Sequence, residues 1–262
     1  MQHDRLPVEH RESSRLVRET FRSFRDELMA SYGSAEYVYK SDHSQVTELD
    51  LKIEKTLKQL LANSFGDLGF LGEETGDSRK IGQPYWVVDP IDGTSSFIRG
   101  LPNCTNMAAL VQDGQPVIGI IYDFVTDRMF EAYKGQGAYV DGQRISIHDR
   151  PIDQAALYIQ SLSALPPALR NELRTRETEL YRPIGASGHA YTLLAEGKID
   201  GYVLLGSKKS IHDNAPGVLI ACEAGAELFV PNGEAWTVES SDFICATPSV
   251  VRAAKELMFP RG

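Results

Sequence analysis

Apolar residues recur at helical spacing between Val8 and Ser31, at Leu16, Val17, Phe21, Phe24, Leu28 and Met29, and predict one amphipathic helix. A polar loop, Ser41 to Gln45, precedes a second helix starting at Thr47, with Leu49, Ile53, Leu57, Leu60 and Leu61 as its buried stripe. The period then changes. "DLGFLGEETGD", from Asp67 to Asp77, reads as a short strand running into an acidic, glycine-flanked loop, and "YWVVD" reads as a compact buried strand. From Cys104 to Ile147, apolar runs are separated by Asp-Gly, Gly-x-Gly and Thr-Asp turns, which predicts hairpins in an antiparallel sheet. After Arg150 the runs "ALYIQSL", "LYRPI", "GYVLL", "AELFV" and "FICAT" alternate with helical stretches, including Gly185–Glu196, Asn214–Ala224 and Pro248–Met258. That alternation is an α/β pattern. A soft boundary near Arg150–Pro151 divides the chain into an α+β part, 1–150, and an α/β part, 151–262.

With 262 residues the chain is long enough for one large domain or two intimate subdomains with a sizeable core. Lys plus Arg is 27 and Asp plus Glu is 36, a formal charge of 27 − 36 = −9. This balance argues against broad binding to nucleic acid or an anionic membrane, both of which need a positive surface. Cys104, Cys222 and Cys245 lie far apart, without a CxxC pair, and fit a reducing compartment, Cys104 and Cys222 as buried apolar residues. The charged N-terminus has no apolar signal segment, and no run approaches a membrane span. The expectation is a cytoplasmic protein.

"WVVDPIDGTSSF" places Asp89 and Asp92 at the end of a buried strand. Pro90 holds Asp89 extended and stops the strand from rolling into a helix. Gly93 permits a tight turn, and Thr94, Ser95 and Ser96 begin a helix whose free N–H groups attract anions. Two carboxylates beside a phosphate would repel it unless a hard divalent cation such as Mg²⁺ lay between them. The alternative is a strand–turn–helix in which Asp92 or Thr94 only caps. Likewise, Glu73 and Glu74 read alone are a solvated loop, Asp213 an N-cap, and His189 a residue facing a helix groove or solvent.

Four pieces in order change that weighing. "WVVDPIDGTSSF" resembles the first signature of the inositol monophosphatase family of Mg²⁺-dependent, lithium-sensitive phosphatases. "FLGEETG" resembles its upstream Gly-Glu-Glu element, "IHDNAPGVLIACEAGAELF" its second signature, and "KSDHSQVTELD" its mobile loop. The resemblance implies a layered αβαβα sandwich, with an N-terminal antiparallel sheet and a C-terminal α/β half, and a homodimer. It implies that Glu73, Asp89, Asp92 and Asp213, with the Ile91 carbonyl, bind two or three Mg²⁺ ions. Thr94, backed by Asp50 and with Glu73 alongside, would orient and deprotonate the attacking water. The amides of Gly93, Thr94 and Ser95 would hold the phosphate, Gly185, Ala186 and Ser187 the alcohol side, and Lys40 would lie near the phosphate.

The departures concern substrate. His212 stands where the family has Trp, and the Ala-Gly after the Asp becomes Ala215-Pro216-Gly217. Inositol-selective members carry a Glu about seven residues before this Asp; here Leu204 to Ser210 is a residue longer, and Lys208 and Lys209 make it basic. That weakens myo-inositol monophosphate as substrate and leaves room for a second anionic group, or for a surface lysine pair with no role. Inositol 1-phosphate is the default, and histidinol phosphate, 3′-phosphoadenosine 5′-phosphate and fructose 1,6-bisphosphate are alternatives. A regulatory binding protein of the same fold is the reading from another class, although four converging carboxylates suit chemistry better.

Overall fold

The computed structural model of the chain describes residues 7–176, 178–182, 186–206 and 210–259. Helices α1 (Val8–Ser23) and α2 (Arg25–Ser31) replace the single helix predicted. The break is at Phe24, whose N–H reaches back three residues to the Phe21 carbonyl at 3.2 Å. A hairpin of β1 (Tyr37–Tyr39) and β2 (Gln45–Thr47) leads into α3 (Glu48–Ser64). Then come β3 (Gly69–Gly72), β4 (Gly76–Asp77), β5 (Tyr85–Asp92) and the short α4 (Thr94–Arg99). A meander follows: β6 (Thr105–Gln112), β7 (Gln115–Asp123), β8 (Arg128–Tyr133), β9 (Gly137–Val140) and β10 (Gln143–Ile145). The second half runs β11 (Ala156–Ile159), α5 (Pro167–Thr175), β12 (Glu179–Tyr181), α6 (Ser187–Ala195) and β13 (Gly201–Leu204). It ends with α7 (Ile211–Glu223), β14 (Glu227–Phe229), β15 (Phe243–Ala246) and α8 (Pro248–Met258).

The larger sheet has the order β10-β9-β8-β7-β6-β5-β3-β4. It is antiparallel as the turns predict, except that β3 and β5 run parallel. The other large sheet, β12-β11-β13-β15-β14, is mixed: β12, β11 and β13 are parallel, and β15 is antiparallel to β13 and β14. Both faces of the first sheet are covered, so its strands read as continuous apolar runs. On one face Trp86, Val88, Leu110 and Ile120 pack against Val17, Phe21, Ile53 and Leu57 of α1 and α3. On the other, Val87, Met107 and Ile121 meet Tyr191, Leu194, Val218 and Ile220 of α6 and α7. Those two helices also bury Tyr202, Phe243 and Cys245 of the second sheet. Its far face packs Ile159, Val203 and Ile244 under Leu169, Leu173 and Val251 of α5 and α8. The layers are therefore αβαβα, and the central core draws on residues from both sides of Arg150.

Helix α3 corrects the sequence pattern in one instructive way. Leu60 is 39% exposed, because it falls off the stripe that Ile53, Leu57 and Leu61 define at i, i+4 and i+8. Two acids occupy that buried side instead, Asp50 and Glu54. Among the described residues no helix is long and apolar enough to cross a membrane.

Candidate metal and phosphate site

Residues three apart in a regular strand point to opposite faces. Asp89 and Asp92 nevertheless join one cluster, and a β-bulge is the reason. Asp89 pairs with Met107 and Asp92 with Thr105, so three steps along β5 face two along β6. Asn106, fully buried opposite the extra residue, donates from its Nδ2 to the Pro90 carbonyl. A polar residue at the start of the strand "TNMAALV", just ahead of its apolar run, was the available signal for this contact, and sequence reasoning passed over it.

Asp92 faces the N-terminus of α6, where its Oδ1 accepts the Ser187 N–H at 3.2 Å and its Oδ2 the Gly188 N–H at 2.6 Å. Thr105 Oγ1 adds a longer contact at 3.4 Å. The third acid, Asp213, sits in the first turn of α7, whose N-cap is Ser210: Ser210 Oγ accepts the Asp213 N–H at 3.2 Å. Asp213 is therefore free of capping duty. One carboxylate oxygen from each of Asp89, Asp92 and Asp213 lies within 4.8 Å of the others.

Burial raises the pKa of all three, and mutual repulsion adds to it. Asp89 is held well above the carboxylate range by burial and then by Glu73, Asp92 and Asp213. Asp92 is pushed up to about 8 by burial and Asp213. Asp213 rises chiefly through burial. Asp89 Oδ1 is buried without a hydrogen-bond partner, a costly arrangement for a carboxylate. Hard oxygen donors converging on one point, one of them lacking a partner, fit a divalent cation that prefers oxygen.

Gly93 links the bulge to α4 at φ 82°, where a methyl group would lie 2.5 Å from the Asn103 carbonyl. Beyond it the Ser96 and Phe97 N–H groups return to the Gly93 carbonyl, and Gly93, Thr94 and Ser95 form the turn before them. Thr94 Oγ1 donates to the Ile91 carbonyl at 3.0 Å and lies 3.4 Å from Asp50 Oδ1. The other oxygen of Asp50 closes a capping box with Thr47, accepting its N–H at 2.8 Å and its hydroxyl at 2.5 Å. Burial drives Asp50 up to about 7 against those bonds.

Glu73 lies outside the set of three. Its Oε1 accepts a hydrogen bond from Lys40 Nζ at 2.9 Å, and Glu74 accepts another at 2.6 Å. Burial alone would lower the pKa of Lys40; the two glutamates outweigh it and raise it. Beside Asp213 opens a cavity of about 390 Å³, lined in part by Gln160, Ser161, Ser187, Tyr202 and Leu204. The Tyr202 hydroxyl lies 3.3 Å from Gln160 Oε1. Ala186 is buried at the entry to α6. Gly185, Lys208 and Lys209, named above from the sequence, lie outside the described residues. A larger cleft of about 650 Å³, by Arg79 and Tyr85, contains none of the clustered acids.

The model of the inositol monophosphatase family matches residues 10–259. A histidinol-phosphatase of Mycobacterium tuberculosis is 34% identical over 205 residues, 75% of this chain and 78% of the relative. Inositol monophosphatase 1 of Rattus norvegicus is 29% identical over 263 residues, 94% and 90% of the two chains. The solved inositol monophosphatase of Zymomonas mobilis superimposes with a TM-score of 0.79 at 25% identity, covering 97% of this chain and 99% of its own.

Proposed function

The chain belongs to the inositol monophosphatase family, and on that premise we propose that it is a Mg²⁺-dependent phosphomonoesterase of a small phosphorylated alcohol. Family membership makes it a phosphoric monoester hydrolase. Inositol 1-phosphate is the first ester to test. Histidinol phosphate is the second, since a relative bearing that activity in its name is 34% identical.

In this reading Asp89, Asp92 and Asp213, with Glu73 and the Ile91 carbonyl, hold two or three Mg²⁺ ions. When bound, a divalent cation supplies Lewis acidity and the positive charge that stabilises phosphoryl oxygens. Glu73, paired with Lys40 here, would add a further carboxylate oxygen to that set. The N–H groups of Gly93, Thr94 and Ser95 hold the phosphate at the start of α4, and Ser187, with Ala186 before it at the entry to α6, serves the alcohol side in the cavity beside Asp213. Water attacks phosphorus, and its proton passes by way of Thr94 Oγ1 to Asp50 Oδ1. A carboxyl group with a pKa near 7 suits a proton acceptor at neutral pH. The P–O bond to the alcohol breaks as the new one forms; the alkoxide takes up a proton from solvent water, and Asp50 returns its proton to solvent. Two or three ions, a homodimer and a cytoplasmic setting belong to the same reading.

The observation carrying this reading is the buried carboxylate triad with its unpartnered Asp89 oxygen. Phosphate release from a panel of monoesters and bisphosphates, with and without Mg²⁺, tests it. Folded protein that releases nothing from any ester would favour a binding role for the same fold.

A further inference from the structure

Helix α3 buries Glu54 completely, although a charged side chain is rarely sealed from water without a task. Its carboxylate accepts two backbone N–H groups of the turn after β3: Glu74 at 2.9 Å on Oε2 and Thr75 at 2.5 Å on Oε1. One helical turn further, Lys58 Nζ donates to the Thr75 carbonyl at 3.2 Å. One turn earlier, Asp50 reaches Thr94. Asp50, Glu54 and Lys58 thus stand at i, i+4 and i+8 on one face of α3, and that face grips two segments of the site at once. Gly72 completes the arrangement, because a Cβ there would collide with Glu54 Oε1.

Resting on the phosphatase reading above, we propose that Glu54 is a positioning residue: it fixes the Glu73–Thr75 turn so that Glu73 faces the Asp89, Asp92 and Asp213 cluster before any cation arrives. The turn is where this matters. Glu73 is the largest charged influence on Asp89 after burial, and Glu73 and Glu74 together hold Lys40. A bidentate carboxylate across two consecutive N–H groups sets both the position and the rotation of the turn, which a hydrophobic filler of equal volume would not do. The role is separable from bulk stability, since supporting residues behind metal ligands change ion affinity about 10–100-fold.

Glu54→Gln keeps the shape but opposes an amide NH₂ to one of the two backbone donors. Gly72→Ala reaches the same result from the other side by displacing the Glu54 carboxylate. In both variants the Mg²⁺ dissociation constant, measured by calorimetry with Mg²⁺ alone, should rise about 10-fold or more. Amide hydrogen exchange at Glu74 and Thr75 should speed up selectively, with the circular dichroism spectrum retained. A folded Glu54→Gln protein that binds Mg²⁺ as tightly as wild type would overturn the proposal, as would uniformly faster exchange with an unchanged dissociation constant. A measurement on the unmodified protein needs no variant to fold: without Mg²⁺, the Glu74 and Thr75 amides should already be protected. Free exchange there would sink the idea. If wild type neither binds Mg²⁺ nor releases phosphate, the phosphatase reading fails, and the exchange data still decide the role of Glu54.

Discussion

At the scale of single residues, the site turns on how few atoms hold Asp89 and Thr94 in place. Asp89 has no other partner for its buried Oδ1, so Asp89→Asn should lower kcat about 10³-fold or more while the fold persists. Near-normal Mg²⁺-dependent turnover in that variant would remove Asp89 from the metal assignment. Asp50→Asn tests a different link. Losing the proton acceptor behind Thr94 should lower kcat about 10²-fold and leave KM nearly unchanged. A matching rise in KM would mean that Asp50 shapes binding instead. Asp89, Asp92 and Gly93 were legible in the sequence because their chemistry is local: a strand end, a proline, a glycine and a helix start. Asn106 and Glu54 were not, because each acts on a segment distant in sequence, through a carbonyl or an N–H that no residue pattern advertises. The signal each left was a polar side chain on an apolar face.

Among the elements, periodicity served the helices better than the strands. Most of the stripes of α1 and α3 follow from spacing, apart from Leu60 and the break at Phe24, and the meander from β6 to β10 follows from its turns. The parallel pairing of β3 with β5 skips β4, and the mixed order of the second sheet joins strands far apart along the chain; short apolar runs carry no record of their partners. The close crossing of α6 and α7 was equally hidden. Gly217 has no room for a side chain, since a Cβ would run into the Tyr191 ring. Because the N-terminus of α6 donates two N–H groups to Asp92 and α7 carries Asp213, this crossing sets the distance between two of the three acids. Gly217→Ala should cost about 1–3 kcal/mol by overpacking and weaken Mg²⁺ binding in the protein that remains folded. An unchanged thermal midpoint would show that the helices can part without penalty.

For the whole molecule, the decisive quantity is how the acids couple folding to ions and protons. Without a cation, the Asp92 pKa of about 8 in the folded state lies above its ordinary 3.8. The folded protein then holds a proton that the unfolded chain has lost, so this contribution to stability is full below about pH 4 and disappears as pH rises through about 8. A bound cation replaces the proton. The rise in Tm caused by Mg²⁺ should therefore grow between pH 6 and pH 8, and a rise that is flat or shrinks across that range would speak against ion binding at the triad. The central claim is catalytic, and one assay reaches it most directly: phosphate released from inositol 1-phosphate, histidinol phosphate and the bisphosphates, with and without Mg²⁺, by wild type and by Asp89→Asn. The account predicts release by wild type only with Mg²⁺, and loss of that release in a folded Asp89→Asn protein. No release from any ester, or equal release by the variant, would contradict it.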